Sequence, residues 1–179
     1  MAVLENKRDF VMLFTVTGAN PNGDPLSGNM PRTDYDGYGE VSDVCIKRKI
    51  RNRMQDLNHP IFVQSNDRTV DGYNSLEERF NKTFESPKKD PDDKVYLESC
   101  KKWMDVRSFG QVMTFQKRSI GIRGPVSISI AKSLSPVDVI SMQITRSTNG
   151  MIPKGGAGRS SDTMGTKHFV EFGVYLVKG

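Results

Sequence analysis

Ligands for soft metals are scarce in this chain: Cys45 and Cys100 are its only cysteines, and His59 and His168 its only histidines. So few donors leave no basis for a structural zinc site. Two cysteines far apart in sequence make no disulfide framework, which points to a reducing, cytoplasmic setting. No apolar run approaches the roughly 18 residues that a membrane-spanning helix needs, so no membrane partner is expected. The N-terminal MAVLENKRDF lacks the apolar stretch of a signal peptide. Nucleotide-binding and hydrolytic signatures are missing too. There is no G-x-G-x-x-G, and Gly155, Gly156 and Gly158 are not followed by the GK[ST] of a phosphate loop. No G-x-S-x-G accompanies the two histidines. Aromatic residues make up 8% of the chain with no run of the RNP1 kind, so stacking on strand aromatics is not the expected way for it to hold RNA. Neither a cofactor nor a metal site is expected.

What is present is polar and basic. Of 179 residues, 36% are apolar and 26% charged, and the formal charge is +5. A chain of this length builds one domain with a real core and room for an insertion. Its basic balance suits a polyanionic partner. The most informative stretch is Gly18–Arg53. A loop of glycine, asparagine and proline is followed by a helix with five cations in seven residues: Lys47, Arg48, Lys49, Arg51 and Arg53. Glycines let a backbone approach closely and prolines stiffen it. A shaped loop beside a cationic helix suits a phosphate backbone. The plainer alternative is a solvated face on an ordinary amphipathic helix.

Alternation predicts a strand over Asp9–Thr17, apolar on both faces and therefore central in its sheet and covered on at least one side. Ser42 is placed to cap a helix from Asp43 to about Leu57, with Ile46, Ile50, Met54 and Leu57 as its buried stripe. Lys47, Arg48 and Arg51 fall on one flank of that helix, and Lys49 and Arg53 on another side. A short extended piece is expected over Ile61–Gln64. Short helices are expected over Ser75–Phe84 and Val95–Met104, separated by the polar Ser86–Asp93, with Tyr96 and Trp103 as packing residues. Period-two alternation from Val126 to Ala131 predicts a strand. Further strands are expected over Val139–Arg146 and Phe169–Val177. Between the last two, Ser147–Thr166 is rich in glycine, serine and threonine, and reads as a long hairpin excursion. In and beside it, Arg146, Lys154, Arg159 and Lys167 stand against a single Asp162.

Two further features carry alternatives. Glycines flank Arg123 in GIRGP, which suits either a bulge or tight turn, or a backbone approach to phosphate with Arg123 as the cation. Asp24, Asp34, Asp36 and Asp43 are candidate ligands or a general base for RNA cleavage, but their spacing fits no rigid motif, and Asp43 already suits a helix start.

Several blocks, in this order, resemble the Cas-seven family of CRISPR type I Cascade backbone subunits, closest to type I-C and then I-B. They are NPNGDPLSGNMPR at 20–32, SDVCIKRKIRN at 42–52, FGQVM at 109–113, RGPVSISIAKSLSP at 123–136, MQITRS at 142–147 and TMGTKHFVEFGVYLV at 163–177. The resemblance implies an α+β fold: an RRM-like (ferredoxin-like) palm with a helical finger insertion and a β-hairpin thumb. Residues 1–64 would begin the palm, 65–105 form the finger insertion, and 106–179 complete the palm and carry the thumb hairpin at 147–166. Family members continue past the strand at Phe169–Val177, so a chain ending at Gly179 is expected to be C-terminally truncated. Implied partners are the CRISPR RNA, the target DNA strand, other copies forming a homo-oligomer along the guide, and the other Cascade subunits. The implied role is non-catalytic, a sequence-independent hold on the guide backbone. The residues assigned to it are Asn20, Asn22, Gly23 and Arg32 in the loop, Lys47, Arg48 and Arg51 on the helix, and Gln111 and Arg123 lining the palm. Arg146, Lys154, Arg159, Met164 and Lys167 belong to the thumb or its base, with Met164 as an apolar wedge. The alternative comes from type III backbone subunits, which cleave RNA with a loop aspartate and metal; Asp24 or Asp34 would then take that part.

Overall fold

In the computed structural model, residues 5–84, 90–145 and 164–179 are described. Contacts divide them into two units, one from Met1–Ser42 and Ile130–Lys178, the other from Asp43–Ser129.

The first unit is an antiparallel sheet. It contains β1 (Val11–Ala19), β4 (Tyr38–Val41), β7 (Ala131–Pro136), β8 (Val139–Thr145) and β9 (Met164–Lys178), with a small hairpin of β2 (Gly23–Asp24) and β3 (Met30–Pro31) inserted after β1. The order is β1-β9-β7-β4, with β8 also pairing β9. β9 is the spine. Its C-terminal half pairs β1 from Val11↔Lys178 to Ala19↔Val170, and its N-terminal half pairs β8 from Val139↔Val170 to Thr145↔Met164. Side chains alternate across a strand, so the β1–β9 register sorts them. Val16, Tyr175 and Val177 fall on one face and are buried, whereas Val11, Leu13 and Phe172 fall on the other and are exposed. β1 therefore differs from expectation. Among the described strands it has a partner on one side only, and it is apolar on both faces but covered on one.

The strand expected at Val126–Ala131 also moves: residues 126–130 lie outside any strand, and β7 begins at Ala131. Alternation records which side chains are half-buried and does not require a ladder partner. β8 and β9 follow the expected positions, and β9 runs longer than read. Residues 164–169 pair with β8 alone among the described strands, so the two leave the sheet as a two-stranded ribbon. Of the thumb expected at 147–166, residues 147–163 lie outside the described residues.

The second unit holds α1 (Asp43–Asp56), α2 (Leu76–Thr83), α3 (Asp92–Lys102), α4 (Met104–Phe109) and a hairpin of β5 (Gly110–Met113) with β6 (Ile120–Arg123). In α1, Ile46 and Met54 are buried as the stripe predicts, but Leu57 is exposed just past the helix end. Ile61 and Phe62 form no strand; they are buried side chains. The core is an aromatic cluster of Phe62, Phe80, Phe84 and Trp103, closed by Val95, Val106, Met113, Ile120 and Ile122. The Phe62 and Trp103 ring centroids lie 4.5 Å apart and tilted, a geometry that adds about 1 kcal/mol to area burial. Trp103 is a packing residue, as read.

Candidate nucleic-acid interface

The loop after β1 is built by its own polar side chains. Asn22 Oδ1 accepts from Ser42 N–H at 2.8 Å and from Ser42 Oγ at 2.9 Å. Asn20 Nδ2 donates to the Asn29 carbonyl at 2.7 Å. Asp24 accepts from Leu26 N–H, Ser27 Oγ and Arg32 Nη2, each at 3.2 Å, and so closes the β2–β3 turn. Gly23 answers a close approach: a Cβ there would lie 1.8 Å from Asn29 Oδ1. Arg32 is exposed apart from its pairing with Asp24. The loop is thus a stiff frame of main chain, with Arg32 as its cation. Asp24 and Asp34 both have structural partners. Asp34 accepts from Asp36 N–H, Tyr38 N–H and Lys132 Nζ, and those donors hold its carboxyl below the ordinary 3.8. Among the described residues no three His, Cys, Asp or Glu side chains converge to hold a metal ion.

On α1 the structure separates cations that the sequence grouped. Lys47 pairs with Asp43 at 3.0 Å, one helical turn back. Arg48 Nη1 donates to the Val63 carbonyl at 2.8 Å. Burial and the neighbouring Arg51 lower its pKa from the ordinary arginine value. Arg51 goes deepest: Nε meets Asp105 Oδ2 at 3.0 Å, and its guanidinium lies over the Phe109 ring at 5.1 Å. Asp105 is fully buried, and it also accepts from Phe62 N–H at 2.7 Å and Val63 N–H at 3.0 Å. This one carboxylate ties α1, the 61–63 segment and α4 together. The exposed cations of the helix are Lys49 and Arg53, the pair that the flank argument set aside. Asp105 was missed altogether; its only signal was a lone carboxylate within the apolar WMDV.

Gln111 and Arg123 come together on the β5–β6 hairpin but point to opposite faces. The register sets Gln111 against the buried Ile122, and Arg123 against Gly110 on the outer face, exposed. Of the two readings of GIRGP, the tight crossing accounts for Gly124: a Cβ there would sit 2.3 Å from Ser108 O and 2.5 Å from Gly110 N. On the ribbon, Ile140, Met142 and Ile144 share a face with Lys167 and Phe169, and the first three are exposed. Met164 is exposed on the other face, its Sδ 3.1 Å from Gln143 Nε2. Arg146, Lys154 and Arg159 lie outside the described residues. A cavity of about 470 Å³ opens in the second unit beside Trp103, Tyr73 and Lys102, and none of the residues assigned to RNA lines it.

These features define a class: an α+β protein whose antiparallel sheet carries a long ribbon and is interrupted in sequence by a helical insertion, with exposed cations on both units. Within that class the chain belongs to the Cas7 family, since the family model described as CRISPR-associated protein Cas7 matches residues 6–179. A curated relative, the CRISPR-associated protein Cas7 of Haloferax volcanii, is 28% identical over 120 residues, which cover 62% of this chain and 33% of the relative. The fold is similar to a chain of a solved CRISPR RNA-guided surveillance complex in a pre-nicking state. The TM-score is 0.56 at 16% identity, covering 95% of this chain and 63% of that one. The chain thus spans about a third of the curated relative it matches.

Proposed function

We propose that this protein is an RNA-binding backbone subunit of a type I Cascade-like surveillance complex. It would hold the CRISPR RNA by its phosphates in several copies along the guide, beside other subunits and the target DNA strand, without cutting either strand. The observation that carries this reading is the family match over residues 6–179. The solved complex of similar fold is RNA-guided by its title, which agrees with it. In this reading residues 1–64 and 106–179 make the RRM-like palm, 65–105 the finger insertion and 147–166 the thumb, with the type I-C branch as the nearest relative.

Lys47 and Arg48 meet phosphates from α1 with the donors that Asp43 and Val63 leave free. Arg32, Arg123 and Lys167 add cations. The main chain at Asn20, Asn22 and Gly23 gives the loop the shape to approach a sugar–phosphate strand. Gln111 supports Arg123 from the inner side of its hairpin. Arg146, Lys154 and Arg159 join at the thumb, and Met164, on the ribbon face opposite Ile140, Met142 and Ile144, wedges against bases. Arg51 has a different part: it fixes the helix through Asp105. Cleavage by a loop aspartate is not favoured, because Asp24 and Asp34 both hold their own turns.

Phosphate contacts make affinity fall with salt in proportion to the charges neutralised. Replacing Lys47 and Arg48 together by alanine is expected to weaken binding to single-stranded RNA of any sequence and to reduce the slope of log affinity against log salt by roughly 1.4. Fluorescence anisotropy across a salt series measures this. An unchanged slope in a folded double variant removes the helix from the interface.

A further inference from the structure

The cavity of about 470 Å³ beside Trp103 is a built feature of the helical unit that the proposed RNA contacts leave unused. The end of α1, the 60–64 stretch, the 70–73 turn, α2 and the end of α3 all reach it. Every one of these segments lies within Asp43–Ser129. The volume falls in the range of small-molecule sites, about 300–1,000 Å³, more than a lone phosphate fills.

The protein's own bonds fix the walls. Arg79 is buried and fully engaged: Nε and Nη2 donate to the Asp71 carboxylate at 2.6 and 2.9 Å, and Nη1 to the Phe62 carbonyl at 2.9 Å. Gln64 Nε2 donates to the Ile61 carbonyl at 3.2 Å, and its Oε1 accepts from Val70 N–H at 3.1 Å. Gln55 Nε2 donates to the Arg68 carbonyl at 3.0 Å. α1 stops in a left-handed residue, Asn58 (φ 60°), and His59 N–H closes on the Met54 carbonyl at 2.9 Å. That stop leaves Asn58 and His59 exposed where they border the cavity. Walls already held in place lose little freedom when a ligand enters.

Two aromatic side chains, Tyr73 and Trp103, line the space, and a cation lies over each ring. Arg79 Cζ is 6.0 Å from the Tyr73 centroid, and Lys102 Nζ is 5.7 Å from that of Trp103. The two cations differ. Asp71 compensates Arg79. Lys102 is exposed, gives one of its three N–H groups to Thr83 Oγ1 at 3.1 Å, and makes no ion pair among the described residues. The uncompensated charge of the lining is therefore positive, and it stands beside aromatic surface. A ring that carries an anionic group satisfies both at once.

We infer that this cavity binds a small aromatic anion of the class of a nucleoside monophosphate, with its ring beside Tyr73 and Trp103 and its phosphate on Lys102. The site stands apart from the function proposed above and does not rest on it.

Trp103 is the only tryptophan of the chain, so its emission reports on the cavity directly. Titration with AMP is expected to change that emission saturably. Adenosine, which lacks the charge, and inorganic phosphate, which lacks the ring, should each bind the wild type at least about tenfold more weakly. Lys102→Gln and Tyr73→Ala should each raise the AMP midpoint about tenfold, with circular dichroism confirming the fold. No saturable change up to about 10 mM AMP overturns the inference. Phosphate binding as tightly as AMP also overturns it, since Lys102 would then hold any anion. So do wild-type midpoints in both variants, which would put AMP elsewhere. The three wild-type titrations decide the matter even if a variant fails to fold. A short single-stranded RNA added at saturation should leave the AMP midpoint unchanged; displacement of AMP would make the cavity part of an RNA interface and overturn it as a separate site.

Discussion

Asp105 shows how much one side chain can hold. It is fully buried, and it answers two main-chain N–H groups and one guanidinium from separate segments. Removing one member of such a set leaves charge without compensation, at a cost of about 3–5 kcal/mol. Arg51→Met is therefore expected to lower the unfolding free energy by that amount in urea titration, whereas loss of a phosphate contact alone would leave stability unmoved. Tyr175 presents the opposite case. Its ring is fully buried and stacks on Phe14 at 5.3 Å, but its hydroxyl has no partner among the described residues. Burial raises its pKa above the ordinary tyrosine value. Tyr175→Phe is expected to be neutral or to stabilise by about 1 kcal/mol. Gly39→Ala should destabilise, because its Cβ would sit 2.2 Å from that hydroxyl; the same urea midpoints check both. Acid tests the Arg79–Asp71 pair. Two guanidinium bonds, at 2.6 and 2.9 Å, hold the Asp71 carboxyl below its ordinary 3.8. A carboxyl depressed by folding contributes stability that is present above its unfolded value and lost as pH falls through the folded one. The wild type should therefore lose stability below about pH 4 more steeply than Asp71→Asn, compared by thermal melts between pH 3 and 6.

Elements were legible where a pattern and a boundary signal agreed. α1 was read nearly to its ends, because its apolar stripe runs at helical spacing from an acidic start. β8 and β9 were read because alternating residues flank a glycine-rich break. The misreadings have one cause: a strand's pattern reports its faces and not its neighbours. β1 looks central because both faces are apolar, yet among the described strands it has a partner on one side only. Residues 126–130 alternate without belonging to a strand. Long-range pairs were invisible for the same reason. Nothing in the sequence says that Arg51 is matched by a carboxylate 54 positions on, and so a structural arginine was grouped with surface cations. The turn joining β5 and β6 was not legible either. Gln116 and Lys117 both take positive φ, 58° and 63°, and Arg118 N–H closes on the Phe115 carbonyl at 3.1 Å. Such a turn is ordinarily signalled by Asn-Gly. Lys117→Gly is expected to stabilise the chain by about 0.5–1 kcal/mol, read from the urea midpoint, since glycine takes that conformation without strain.

At the scale of the whole molecule, the two units differ in how the chain supplies them. The helical unit is one unbroken run from Asp43 to Ser129, while the sheet unit is made of segments on either side of that run. Val11 is paired with Lys178, so β1 is completed by a strand that lies beyond the whole helical run in sequence. Long loops close slowly, and domains form as their residues emerge. The helical run therefore has all it needs while β1 still waits. Throughout that wait β1 offers Val11, Met12, Leu13 and Phe14 with both of its edges unpaired, the kind of segment that invites wrong pairing. The arrangement sets an order of assembly. The cationic helix is in place before the sheet closes, and β9, which follows the helical run, supplies the spine that β1, β7 and β8 all share.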